Sequence, residues 1–179
     1  MPDILIEVNA KEQTLLRTRA DDLSRLAAQS YEAGTEKRTL DCLFFSAQGI
    51  RYALSQDWVQ EVHLEVRPIP VPCTPSFVRG IVNVRGDIVS AVDISAFLGN
   101  TPLVHQEFYQ MFRIRKGKLE FGILCDLVDN IEPLSLEHLH RYEHGDHAKM
   151  NRYLLGVTDE LVNILDAEAL MADESLIVS

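Results

Sequence analysis

Two runs of β-branched residues meet at Arg85-Gly86. Ile81, Val82 and Val84 precede that pair, and Ile88, Val89 and Val92 follow it. Such runs on both sides of a glycine are the pattern of a β-hairpin, in which Gly86 takes the turn conformation that a residue with a Cβ resists. Asp93 then stands where a short helix, Ile94 to Leu98, needs a cap, and Gly99 where it must end. Two other readings of this stretch fail. Gly80 and Gly86 form G-x5-G, whereas a phosphate loop needs G-x4-G-K-[ST] leading into a helix. Asp87 after the second glycine would also repel phosphate, and the dinucleotide pattern G-x-G-x-x-G is absent. Arg85-Gly86-Asp87 spells a cell-adhesion tripeptide, but that use requires an extracellular protein.

The rest of the chain from residue 41 has the same character. "DCLFFSA" and "IRYALS" flank Gln48-Gly49, a hairpin signal. "WVQEVHLEV" follows as a strand. Pro68, Pro70, Pro72 and Pro75 then exclude central strands and helix interiors, which leaves an extended edge or loop. "QMFRIRKGKLEFGILCDLV" predicts a hairpin turning at Lys116-Gly117, and "RYLLGVTDELVNILD" leads to a short helix near 166–172. Short strands with turns every ten or so residues indicate an all-β barrel or sandwich. Ahead of them, Leu16, Ala20, Leu23, Ala27 and Ser30 keep helical spacing over residues 10–33, and Gly34 ends the pattern.

Composition narrows the function. With 179 residues, 46% of them hydrophobic, the chain can bury one domain or two small subdomains. A net charge of −10 argues against non-specific nucleic-acid binding and against direct contact with anionic lipid. No apolar run reaches the roughly 18–20 residues that span a bilayer, and the N-terminus lacks the pattern of a secretory signal. Cys42, Cys73 and Cys125 are widely spaced, the pattern of reduced thiols in a cytoplasmic protein.

"FVRGIVNVRGDIVSAVDISAFLG" resembles the signature of the CheW family, the coupling proteins of bacterial chemosensory systems. Phe77, Gly80, Asn83, Arg85, Gly86, Val92, Asp93, Leu98 and Gly99 fall in place. "FFSAQGIRYALSQDWVQEV" is similar to the family's opening hairpin and V-x-E segment, "FGILCDLVDNIEPL" to its G…V-D strand pair, and "LLGVTDELVNILD" to its closing hairpin. The likeness runs from near Thr39 to near Met171. It implies a mainly β fold of two small five-stranded barrels packed together, with residues 1–38 as a helical extension to a CheW-like domain over 39–179.

The resemblance also implies a non-enzymatic scaffold without cofactors. Its partners would be the regulatory domain of a histidine kinase of the CheA type and the cytoplasmic tips of methyl-accepting chemoreceptors. The place would be the cytoplasm, at membrane-anchored receptor arrays, and residues 1–38 could serve self-association. The related coupling proteins of twitching or pilus control fit equally. Carried over residue by residue, the receptor-facing groove falls on Val59, Glu61, Arg85 and Gly86. Opposite charges suggest that Glu61 and Arg85 pair, contributing about 0–1 kcal/mol but fixing register and partner choice. The chain departs from the family at Ser90, usually proline, at Asn163, in a stretch usually apolar, and in its N-terminal extension.

One other chemistry competes. "EHLHRYEHGDH" holds four histidines, and His140, Glu143 and His144 fit H-x-x-E-H, a zinc-hydrolase pattern. Ser135 could cap a helix there and Gly145 could end it, so that His140 and His144 share a face. Such a site lacks an evident third ligand, and exposed polar histidines are the simpler reading, so no metal is expected. Cys73 has no histidine beside it in sequence, and Trp58 reads as a packing residue at a barrel edge.

Overall fold

The period-two pattern that begins near residue 40 folds as strands. In a computed structural model describing residues 39–137, 139–141 and 151–176, β1 (Thr39–Ala47) and β2 (Ile50–Ser55) form the first hairpin. A 3-10 turn, Gln56–Trp58, leads into β3 (Val59–Val66). β4 (Val78–Val84) and β5 (Asp87–Asp93) form the second hairpin, followed by the short helix α1 (Ile94–Phe97). β6 (Tyr109–Lys116) and β7 (Leu119–Cys125) form the third, then come β8 (Leu127–Ser135), β9 (Leu154–Val157), β10 (Val162–Leu165) and α2 (Ala167–Met171). The helix expected over 10–33 lies outside the described residues.

Among the described residues, 41–134, 139–141 and 151–176 belong to one compact unit. The strands make two five-stranded sheets, ordered β8-β1-β2-β10-β9 and β3-β6-β7-β5-β4. Each sheet is drawn round by one isolated bridge. Beyond β3, Ile69 exchanges backbone bonds of 2.8 and 2.9 Å with Ile81 of β4; beyond β8, His140 does so with Val157 of β9, both at 2.8 Å. Both crossings need a residue without a side chain on the receiving strand. A Cβ on Gly80 would lie 2.1 Å from the Ile69 carbonyl oxygen, and one on Gly156 2.6 Å from that of His140. The proline-rich segment is therefore the arm that closes the second barrel, and the sequence's expectation of two small five-stranded barrels holds.

The barrels share a core. Phe45 of β1 stacks on Tyr52 of β2 and meets Phe112 of β6 edge-on, 4.7 Å between centroids. Phe97 of α1 packs on Tyr153 and on Phe77. Burying side chains of this size supplies roughly 1.5–3 kcal/mol each before entropy is set against it.

Local signals place the Asp93 cap as expected. Asp93 Oδ1 accepts from the Ala96 N–H at 3.1 Å, and Asp166 caps α2 through Ala169. Asp93 does more than the sequence shows. It is fully buried, and its Oδ2 accepts from Arg79 Nε (3.1 Å), Arg79 Nη2 (2.8 Å) and the Leu103 N–H (2.8 Å). Arg79 Nη2 also donates to the Leu103 carbonyl. The carboxylate thus ties β4, β5, α1 and the following loop together.

Candidate functional site

Arg85 and Gly86 form the two-residue loop between Val84 and Asp87, with φ of +53° and +100°. Positive φ at both positions is the type I′ geometry that matches strand twist. Asn83 holds the turn, its Oδ1 accepting from the Gly86 N–H at 2.9 Å. A non-glycine residue in the left-handed region costs about 1 kcal/mol, so Arg85 is placed there at some expense. Its side chain is 85% exposed.

Glu61 sits on β3 opposite Arg113 of β6. Its Oε2 lies 3.8 Å from Arg85 Nη1, so the two residues singled out in the sequence share one surface. Glu61 has a closer partner, however. Arg113 Nη1 donates to Glu61 Oε1 at 2.9 Å, and Nη2 donates to Glu120 Oε2 at 2.7 Å and to Asp87 Oδ2 at 3.3 Å. The Arg113 side chain is only 9% exposed. Its pKa is raised above the ordinary arginine value, chiefly by the bond to Glu120, with those to Asp87 and Glu61 adding and burial opposing. His63 completes the group, its Nε2 3.5 Å from Glu61 Oε1.

A buried guanidinium with three carboxylates depends on its geometry: removing one partner leaves charge uncompensated and costs far more than losing an exposed pair. Nothing in the sequence near Arg113 signals this role. Asp87, to which the sequence assigns none, is the third carboxylate. Val59 is half-buried at the start of β3, where Trp58 also packs against the core beneath the Lys116 ammonium, 5.1 Å from its ring centre. The β6–β7 turn falls one residue later than expected, at Gly117-Lys118, because Lys116 pairs with Leu119.

His140 is in the extended bridge to β9, and its Nε2 lies 2.6 Å from Asp159 Oδ1. His140 is therefore not on the helix expected to be capped by Ser135, which itself ends β8. Glu143 and His144 lie outside the described residues. Among the described residues no group of three or more His, Cys, Asp or Glu is arranged to hold a metal. Cys73 is exposed, whereas burial, with nearby carboxylates adding to it, pushes the Cys42 and Cys125 thiols up to about 12. No helix among the described residues is long and apolar enough to cross a membrane.

Comparison with known proteins agrees with this architecture. The family model of the CheW-like domain matches residues 41–175. The chain is 24% identical over 157 residues to the chemotaxis protein CheW of Klebsiella aerogenes, covering 86% of this chain and 94% of that protein. Its fold is similar to that of the scaffolding protein TtCheW of Thermoanaerobacter tengcongensis, with a TM-score of 0.62 at 21% identity, over 72% of this chain and 89% of that one. The alternating runs around Arg85-Gly86, the paired five-stranded barrels and the family match converge: the chain belongs to the CheW-like domain family.

Proposed function

We propose that the chain is a non-enzymatic chemotaxis coupling protein that joins a histidine kinase of the CheA type to the cytoplasmic tips of chemoreceptors. Val59, Glu61, Arg85 and Gly86 form its receptor-facing wall. The observation that carries the reading is the convergence of Glu61 and Arg85 at one end of the second barrel, in a chain of the CheW-like family. A guanidinium presented on a two-residue turn, above a carboxylate fixed from behind by Arg113, reads charge and register rather than binding a small molecule. Its place is the cytoplasm, at receptor arrays, and residues 1–38 are an extension to the coupling domain.

Pull-down with the regulatory domain of a chemosensory kinase, and with a soluble receptor-tip fragment from the same cell, tests this. Both should be retained, and Arg85→Glu should release the receptor fragment while keeping the kinase domain. Failure to retain either would reject the proposal.

A further inference from the structure

The parallel pairing of β5 with β7, Ala91 opposite Gly122, brings the Arg85-Gly86 and Gly117-Lys118 turns to the same end of the sheet. The charges at that end fall into two tiers. The inner tier is Arg113 with Glu61 and Glu120, all mostly buried, so two of the three carboxylates are turned inward. The outer tier is Arg85, Arg115, Lys118 and Asp87. Arg115 is 48% exposed; its Nε donates to the Gly117 carbonyl at 2.9 Å and lies 3.9 Å from Glu120 Oε2, a carboxylate that Arg113 already holds at 2.7 Å. Lys118 is exposed in the turn itself, and Asp87 is 65% exposed. Three exposed cations therefore stand at this end against one exposed carboxylate, and Arg85 and Arg115 approach inner carboxylates only at 3.8 and 3.9 Å, on a chain whose net charge is −10.

We infer that these two turns form a cationic rim that recognises a carboxylate-bearing face of the receptor tip, with Arg115 and Lys118 acting beside Arg85. The inference rests on the reading of this end of the barrel as the receptor-facing surface. Arg113 makes the rim possible: it satisfies Glu61 from within at 2.9 Å, so Arg85, 3.8 Å away, can turn to a partner's carboxylate without leaving Glu61 unpaired. Charges at the edge of an interface act on association rate and salt dependence more than on the final packing.

The test is a titration of a labelled soluble receptor-tip fragment with the full chain, at low and moderate salt. Arg115→Gln and Lys118→Gln should each weaken binding by about two- to five-fold, and the triple variant with Arg85→Gln should flatten the salt dependence. Arg67→Gln, at the far end of β3 and paired with Glu107, is the control and should bind like the unaltered chain. Thermal melts of Arg115→Gln and Lys118→Gln should match it as well. Binding by the intact chain that is indifferent to Arg115 and Lys118 would overturn the inference alone. No binding by the intact chain would overturn the receptor reading and the inference with it.

Discussion

Arg79 grips Asp93 through Nε and Nη2, at 3.1 and 2.8 Å, although they are 14 residues apart and Asp93 has no contact with solvent. A buried carboxylate of this kind is tolerated only because every bond it can accept is made. Asp93→Ala should cost about 3 kcal/mol or more, read from the urea midpoint at constant slope, since it removes a helix cap and strands the guanidinium. Asp93→Asn has a single carbonyl oxygen, which can keep the cap to Ala96 but turns an amide NH2 toward Arg79 and the Leu103 N–H, and should lose less than alanine. Equal losses would show that charge pairing, not capping, sets the cost.

Arg113 and Arg85 both approach Glu61, but they should behave differently on removal. Arg113→Met leaves Glu61 and Glu120 facing each other without a cation between them, and should destabilise the fold by about 3 kcal/mol. Arg85→Gln touches an exposed, screened pair and should stay within about 1 kcal/mol of the unaltered chain. Chemical denaturation of the two variants side by side decides it, and a reversed order would refute the two-tier arrangement.

The closing arm of the second barrel makes Gly80 the most restrictive glycine described. Its φ is +142°, and an added Cβ would sit 2.1 Å from the Ile69 carbonyl oxygen, which is backbone and cannot swing away. Gly80→Ala should therefore cost about 4 kcal/mol or abolish folding. Gly49→Ala, also at positive φ but with open space around it, should cost about 1 kcal/mol. Similar melting temperatures for the two variants would mean that the Ile69–Ile81 bridge does not hold the barrel shut.

Asp173 should make stability pH-dependent in acid. Burial pushes its carboxyl up, but bonds from Ser175 and Tyr153, with the nearby charge of Arg152, more than reverse that and hold it below the ordinary aspartate value. The unfolded chain then takes up the proton more readily than the folded one. The stabilisation is complete above the unfolded value of about 3.9, and is lost as pH falls through the lower folded value. The stability difference between the unaltered chain and Asp173→Asn should accordingly shrink on acidification below about pH 4. A difference that stays constant with pH would sink the assignment.

What the sequence makes legible here is what is encoded over a few residues. The Gln48-Gly49 and Arg85-Gly86 turns and the cap at Asp93 rest on neighbours within about four positions, and the structure places each of them where the sequence does. Arg113 was not legible because its carboxylates are 52, 26 and 7 residues away, and only sheet pairing brings them to one point. Asn163 shows the same limit. In the sequence it interrupts an apolar run, yet in the structure it is buried and donates to the Arg51 carbonyl of a parallel neighbour 112 residues distant. The site residues Glu61 and Arg85 were legible through family resemblance rather than through any spacing rule.

The two barrels also differ in when they can close. The second draws all five strands from one continuous stretch, residues 59–125, whereas the first joins β1 and β2 to β8, β9 and β10. During synthesis the second barrel has its complete set of strands once Cys125 has emerged. The first cannot seat β10 against β2 until Leu165 is available, about a hundred residues after the strand it must pair with. The barrel that carries Arg85 and Arg113 can thus be whole while its companion is still waiting for its last strand.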